Sequence, residues 1–164
     1  MSMEHILETV RTFDGVLELA PAVGSEFPEI AWGDHFFYYA PDGLVPRREQ
    51  PFATIVTKNY PDDTLSDLDI PGRRRLNIHV GTSAFIELIG ENPRFEPSSW
   101  DYAATDTVLP HPVYRTQGWI SIIDPGETTP QAVRLLRAAY EDTRRRTLAR
   151  RGAQAGDAGS GRDR

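Results

Sequence analysis

The sequence contains no cysteine in its 164 residues. Disulfides, zinc–thiolate centres, iron–sulfur clusters and catalytic thiols are therefore excluded. Lysine is nearly as scarce, since every one of the 18 basic residues except Lys58 is arginine. Lys58 is therefore the single side-chain amine, and an amine loses its charge on burial more readily than a guanidinium does.

Long hydrophobic runs are absent too. No stretch approaches the roughly 18 consecutive apolar residues of a membrane-spanning helix. The opening residues, MSMEHILETVRTF, lack the basic segment and apolar core of a secretion signal. These absences predict a soluble protein in the cytoplasm, without a membrane partner.

The sequence also lacks the short motifs of several enzyme classes. It contains no G-x-S-x-G, no phosphate-binding P-loop and no G-x-G-x-x-G. The histidines stand at positions 5, 35, 79 and 111, and none has the spacing of a local metal motif. We therefore expect no metal and no cofactor. The alternative, a metal site assembled by the fold, would combine Asp34 with the last three histidines.

The charge is unevenly distributed along the chain. The formal net charge is −6, but the segment 134–164 contains nine arginines against four acidic residues. A nucleic-acid-binding face needs clustered basic residues for its phosphate contacts, so the acidic remainder makes nucleic acid an unexpected partner. The arginine-rich C-terminal helix leaves two alternatives open, weak nucleic-acid binding or simple solvation.

The apolar pattern predicts a helix at each end of the chain with strands between them. Residues 3–13 and 130–146 carry apolar stripes of helical spacing, and Thr129 before Pro130 is typical of a helix cap. About five β-prone segments lie between these helices, as in RRRLNIHV, where apolar and polar residues alternate. Since turns join the strands, we expect an α+β fold. The expected architecture is a two-layer domain with an antiparallel sheet of about five strands and the N- and C-terminal helices on one face.

The chain length fits a single domain. All predicted elements fall within residues 1–150, which we take as one α+β domain. Residues 151–164 are rich in Gly, Ala, Asp and Arg and contain no large hydrophobic residue. They are predicted to be a disordered tail, because such a composition cannot bury enough apolar surface to order the backbone.

Several segments carry a resemblance to a known family. The segments WGDHFFYYAPDG, PFATIVTKNYP, RLNIHVG and HPVYRTQGW, in that order, resemble a family of uncharacterised bacterial domains of unknown function. More distantly, Trp32-Gly33-Asp34, Lys58, Trp119 and Tyr140 are similar to positions of MmcQ/YjbR-like domains. That resemblance implies an α+β fold with a CyaY-like arrangement and an association with DNA binding through a double-wing surface. The acidic body of this chain departs from that role, and the closer family implies no activity.

Polar and aromatic residues are expected to converge on the sheet face that the helices leave open. Asn77 and His79 alternate with core residues on one strand, and Lys58 ends the preceding strand. His111 stands in a rigid turn near Tyr114, a setting that suits a small-molecule pocket. The candidate ligand-binding residues are Trp32, Asp34, Lys58, Asn77, His79, His111 and Tyr114. The alternative is a sheet face on which these polar residues are merely solvated.

The leading functional hypothesis is a binding module for a small molecule or a protein that uses this open face, as a monomer or a homodimer. The alternative is a small-molecule enzyme in which His79 or His111 acts as the general base and Lys58 as a charge stabiliser or amine nucleophile. No catalytic motif supports the enzyme, so the sequence favours binding over catalysis.

Overall fold

The computed structural model describes residues 2–160 of the chain. In this part the sequence forms three α-helices and six β-strands. The helices are α1 (Met3–Arg11), α2 (Thr82–Ile89) and α3 (Thr129–Ser160), and the strands are β1 (Val16–Leu19), β2 (His35–Tyr39), β3 (Ala53–Val56), β4 (Arg75–His79), β5 (Leu109–Pro110) and β6 (Trp119–Ile123). Short 3₁₀ turns at Glu29–Ala31 and Arg115–Gln117 precede β2 and β6.

The strands form one antiparallel sheet in the order β1-β2-β3-β4-β6-β5. The terminal helices α1 and α3 pack against each other, and α3 lies against β2 and β4. This arrangement confirms the predicted α+β fold with an antiparallel sheet. The additional strand is β5, which has only two residues and contains Pro110. A strand that short shows no alternation in the sequence, so the pattern did not predict it.

One face of the sheet forms the hydrophobic core. Leu76 lies opposite Ile55 on one side and Ile122 on the other, so the apolar residues of three strands form one row. The fully buried core side chains include Ile6, Leu136, Phe37, Ile55, Leu76, Ile78, Ile120 and Ile122. Burying each large apolar side chain contributes about 1.5–3 kcal/mol, and a one-residue slip would expose the whole row. The core therefore fixes the register of the sheet.

The opposite face carries the alternate residues of the same strands. Asn77 lies opposite Thr54 and Ser121, and His79 lies opposite Trp119. The predicted division of β4 into a core side and a polar side is therefore confirmed. Because α1 and α3 pack on the core side, this second face is covered only in part, by loops. We call it the open face.

The first turn of α3 is capped by a residue from a distant loop. Asp106 accepts hydrogen bonds of 2.6–3.0 Å from the backbone N–H groups of Gly126, Glu127 and Thr128 and from the Thr128 hydroxyl. Thr129 Oγ1 is buried and has no hydrogen-bond partner among the described residues. The prediction that Thr129 caps α3 is therefore wrong, because a carboxylate has more acceptor sites for these backbone donors than a hydroxyl has.

The backbone of α3 is helical through residues 151–160, where the sequence predicts a tail without regular structure. Residues 161–164 of that tail lie outside the described residues, and the domain boundary at residue 150 stays a prediction. Although α3 is long, no helix within residues 2–160 combines the length and apolar character needed to cross a membrane.

Candidate functional site

A pocket of about 430 Å³ lies on the open face. Its floor is formed by alternate residues of β3 and β4, and loops on either side of the sheet raise its walls. Aromatic and apolar side chains make most of the wall, and polar ones are gathered at the floor. The lining residues are Ala31, Phe36, Tyr38, Gln50, Pro51, Thr54, Val56, Tyr60, Asp62, Asp63, Arg75, Asn77, His111, Tyr114 and Trp119.

An ion pair occupies the floor of this pocket. The Arg75 side chain, 1% exposed, contacts Asp63 through two bonds, Nη1–Oδ1 at 2.9 Å and Nη2–Oδ2 at 2.5 Å. Nη1 also donates to Ser66 Oγ at 2.9 Å. Burial alone raises the pKa of Asp63, but the hydrogen bonds and charge of Arg75 outweigh burial and leave that pKa lowered. The pair is therefore ionised, and its two charges neutralise each other.

Asn77 continues the hydrogen-bond network along the floor. Its Oδ1 accepts from Arg75 Nε at 2.8 Å and from Ser121 Oγ at 3.0 Å. Its Nδ2 donates to Thr54 Oγ1 at 3.0 Å. The network therefore joins β3, β4 and β6 beneath the pocket and holds the guanidinium in one orientation, because every amide atom of Asn77 has a partner.

The backbone sets the tautomer of His111 at one end of the floor. Nδ1 accepts hydrogen bonds from the backbone N–H groups of Val113 and Tyr114, both at 3.0 Å. Nδ1 therefore carries the lone pair, and the proton of the neutral ring sits on Nε2. Burial, and then the charge of Arg75, lower the pKa of His111 to about 3. His111 thus presents an N–H donor, and its Nε2 lies 3.3 Å from Arg75 Nη2, itself a donor.

We predict that His111 stays neutral, with its proton on Nε2, at every pH above about 4, since its folded pKa is about 3. The unfolded ring titrates near 6.5, so the unfolded chain binds the proton first and stability falls as the pH drops between these two values. Nitrogen-15 NMR of the imidazoles reads both tautomer and titration. A His111→Gln variant should lose this part of the acid dependence, and a His111 signal that titrates near neutral pH would contradict the assignment.

Asp34 and Lys58 belong to a separate, partly buried cluster behind the pocket wall. Asp34 is fully buried, and its Oδ1 accepts from Thr57 N at 2.9 Å, Thr57 Oγ1 at 2.7 Å and Lys58 Nζ at 3.2 Å. Its Oδ2 accepts from the Tyr60 hydroxyl. Lys58 Nζ also donates to Trp32 O at 2.7 Å. We call Asp34, Thr57, Lys58 and Tyr60 the aspartate brace, because it ties two strand ends together and orients the Tyr60 ring, which lines the pocket.

His79 lies in a neighbouring cleft. Its Nε2 is 2.9 Å from the Gln117 carbonyl oxygen, so Nε2 carries the proton and donates, and its ring lies 5.5 Å from that of Trp119. Burial, and then the charge of Arg146, lower the pKa of His79. The backbone that follows Gln117 lies close to the backbone that follows His79. Gly118, with φ of 82°, permits this close approach, because a Cβ there would lie 2.8 Å from the backbone of Gly81.

The seven sequence-predicted site residues therefore fall into three groups. Asn77, His111 and Tyr114 line the pocket, His79 lies in the neighbouring cleft, and Trp32, Asp34 and Lys58 meet behind the wall. Sequence reasoning missed Arg75, Asp63 and Tyr60. The alternation in RRRLNIHV places Arg75 on the same face as Asn77, and this signal was available. No pattern indicated that Asp63, in an acidic loop, turns inward to meet it.

Among the side chains that the structure describes, no group of three or more histidine or acidic residues is placed to hold a metal ion. The metal site that would combine Asp34 with histidines is not formed, because the carboxylate oxygens of Asp34 contact Thr57, Lys58 and Tyr60 instead.

Comparison with known proteins places the chain in a family without an assigned activity. No curated protein and no solved structure matches the sequence. The more distant similarity to MmcQ/YjbR-like domains stays a prediction. The sequence matches the family of unknown function DUF6194 over residues 1–152, which is nearly the whole chain, and the protein belongs to that family.

Proposed function

We propose that this domain binds a small organic molecule with a planar ring in the pocket of the open face. The observation that carries the proposal is a pair of donors at the pocket floor. His111 Nε2–H and the Arg75 Nη2 hydrogen that does not bond Asp63 lie side by side, 3.3 Å apart between nitrogens. Two donors cannot satisfy each other, so an acceptor oxygen of a ligand, placed between them, would satisfy both.

The walls of the pocket favour a flat ligand. Phe36, Tyr38, Tyr60, Tyr114 and Trp119 contribute aromatic surface around the polar floor. Aromatic rings pack well against planar ligands in stacked or edge-on geometry, and small-molecule sites are commonly apolar with a few fixed polar groups. The His111 and Tyr114 rings lie 4.9 Å apart, so the polar corner and the aromatic wall meet.

The electrostatics of the floor favour a neutral acceptor there. The Arg75 charge is compensated by Asp63, and His111 is neutral with a pKa of about 3. An anion at this place would meet no net positive charge and would lie near the Asp63 carboxylate. A carbonyl oxygen, with two lone pairs and no charge, matches the two donors better.

The same geometry favours binding over catalysis. A general base needs a free lone pair facing the substrate, but the Nδ1 lone pair of His111 accepts two backbone bonds. Lys58 Nζ donates hydrogen bonds to Trp32 O, Asp34 Oδ1 and Thr57 Oγ1, so the nitrogen is turned towards the protein rather than towards a substrate in the pocket.

The test compares two bicyclic probes of similar shape, coumarin and naphthalene. Coumarin has a ring carbonyl and naphthalene has none, so we expect coumarin to bind about tenfold more tightly, as one net hydrogen bond allows. Isothermal titration or ligand-induced melting shifts would measure this difference. His111→Phe should remove the preference for coumarin, and Tyr114→Ala should weaken both probes.

The control is Phe95→Ala, which removes a ring that is 72% exposed and lies outside the pocket. It should leave both dissociation constants unchanged. Failure of both probes to bind, or equal binding that His111→Phe and Tyr114→Ala leave intact, would overturn the proposal.

A further inference from the structure

A second cleft of about 240 Å³ adjoins the pocket. The two cavities share three lining residues, Gln50, Pro51 and Trp119, so they meet along a common wall. The Trp119 ring stands between a histidine on each side, His79 at 5.5 Å and His111 at 6.5 Å between ring centroids. The two cavities are therefore adjacent, and a ligand that crosses the Trp119 ring would reach both.

The second cleft has a different chemical character from the pocket. We call it the arginine cleft, since Arg48, Arg146 and Arg150 line it together with Glu49, Phe52, His79 and Thr143. Three guanidinium groups against the Glu49 carboxylate give the lining an excess of positive charge, and burial and Arg146 lower the pKa of His79, so its ring adds none. This concentration of positive charge stands on a chain with a net charge of −6.

The arginines are only partly committed to protein partners. Arg150 pairs with Glu49 at 2.5 Å, and Arg146 pairs with Asp142 at 3.3 Å across a surface where both side chains are 54% exposed. Arg48 has no ion pair among the described residues. Exposed pairs of this kind contribute little stability, so a ligand oxyanion can compete for these guanidinium groups.

We propose that the ligand of the pocket carries a phosphate monoester, or a dianion of the same kind, which binds in the arginine cleft while its ring occupies the pocket. This inference rests on the proposed function of the pocket. A dianion offers more charge and more acceptor oxygens to three guanidinium groups than a monoanionic carboxylate does. Guanidinium groups also bind phosphate oxygens through two parallel hydrogen bonds.

Charge separation between the two cavities supports the assignment of each part of the ligand. The floor of the pocket holds a compensated pair, Arg75 with Asp63, and the wall near it carries Asp62. The arginine cleft holds Arg48, which has no ion pair among the described residues, beside two arginines in surface pairs. A molecule with an uncharged ring and a phosphate group therefore has one orientation in which both ends meet a matching surface.

The experiment measures dissociation constants for umbelliferyl phosphate, coumarin and inorganic phosphate with the full chain. We expect umbelliferyl phosphate to bind at least about tenfold more tightly than either of the other two, and its affinity to fall with added salt. Arg48→Gln and Arg146→Gln should each remove most of that gain and leave coumarin binding unchanged. The matched control is Arg134→Gln, because Arg134 is an exposed arginine of α3, like Arg146, but lies outside the cleft. This variant should leave all three dissociation constants unchanged.

The remaining outcomes either distinguish the phosphate site from the pocket or reject both proposals. If coumarin binds as tightly as umbelliferyl phosphate, the pocket stands and the phosphate site is overturned. If inorganic phosphate alone binds as tightly as the ester, the cleft is an independent anion site and the joined ligand is overturned. If heparin binding depends on Arg48 and Arg146 while umbelliferyl phosphate binding does not, the cleft serves a polyanion and the inference is wrong. If none of the probes binds, both proposals fail.

Discussion

Replacing Arg75 with methionine is expected to lower the free energy of unfolding by about 3–5 kcal/mol at neutral pH, because removing one partner of a buried ion pair leaves the other uncompensated. The Asp63 side chain is 8% exposed and depends on Arg75 for both of its charged contacts. Methionine replaces the aliphatic part of the arginine side chain but not the guanidinium, so the loss reports mainly on charge and hydrogen bonding. Urea denaturation followed by tryptophan fluorescence measures it.

The pH dependence separates this ion-pair effect from a packing effect. In the variant, burial without Arg75 raises the pKa of Asp63, so the carboxyl is neutral and tolerated in acid but ionised and unfavourable at higher pH. The difference between wild type and variant should therefore grow as the pH rises from about 4 to 7. A double variant with Asp63→Leu should recover most of the loss and show no such growth.

The matched control is the neighbouring residue. Arg74 pairs with Glu4 at 2.7 Å on the surface, where the Glu4 side chain is 62% exposed, so Arg74→Met should cost no more than about 1 kcal/mol. Equal losses for the Arg74 and Arg75 variants would contradict the conclusion that the buried pair contributes more to stability than the surface pair.

The part of the fold that follows from hydrophobic patterning could be predicted from the sequence. The alternation in β4 assigned Leu76 and Ile78 to the core and Asn77 to the other side, and the pairing register agrees. The terminal helices were predicted mainly from their apolar stripes. These predictions succeed because burial of an apolar row is a property of consecutive residues.

Long-range polar contacts could not be predicted in the same way. Asp106 caps α3 from a loop 20 to 22 residues earlier, and Asp63 reaches Arg75 across 12 residues of chain. Neither carboxylate differs in local sequence from the exposed acidic residues near it. Which carboxylate turns inward is decided by where the backbone donors and guanidinium stand after folding, and a period of two or 3.6 residues carries no such information.

The same reasoning explains why the predicted site was only partly assembled. Lys58 and Asp34 were grouped with Asn77 because they were expected on adjacent strands, but Asp34 lies just before β2 and Lys58 just after β3, and their side chains turn towards each other. Asp34 gathers Thr57, Lys58 and Tyr60 into one cluster, which supports the pocket without lining it, apart from the Tyr60 ring. Adjacent positions in a sheet predict which residues lie near each other, but the role of each side chain depends on the hydrogen-bond partners that it finds after folding.

Replacing Asp34 with alanine is the second change expected to have a large effect, a loss of about 3–5 kcal/mol in the free energy of unfolding. Asp34 is fully buried and accepts four hydrogen bonds, from Thr57 N, Thr57 Oγ1, Lys58 Nζ and the Tyr60 hydroxyl. Alanine leaves all four donors without this acceptor. Denaturant unfolding of the variant, monitored by circular dichroism, measures the loss.

A series of variants distinguishes a structural brace from a reactive lysine. Asp34→Asn keeps one acceptor oxygen and should cost about 1–2 kcal/mol. Lys58→Met should cost less than Asp34→Ala, because the lysine side chain is 30% exposed and Asp34 keeps its hydrogen bonds from Thr57 and Tyr60. The surface control Asp142→Ala should cost no more than about 1 kcal/mol. If the brace orients Tyr60, the Asp34 variants should also weaken coumarin binding, whereas Lys58→Met should do so only slightly. A Lys58→Met variant that loses more stability than Asp34→Ala would show that the amine, rather than the buried carboxylate, organises this cluster.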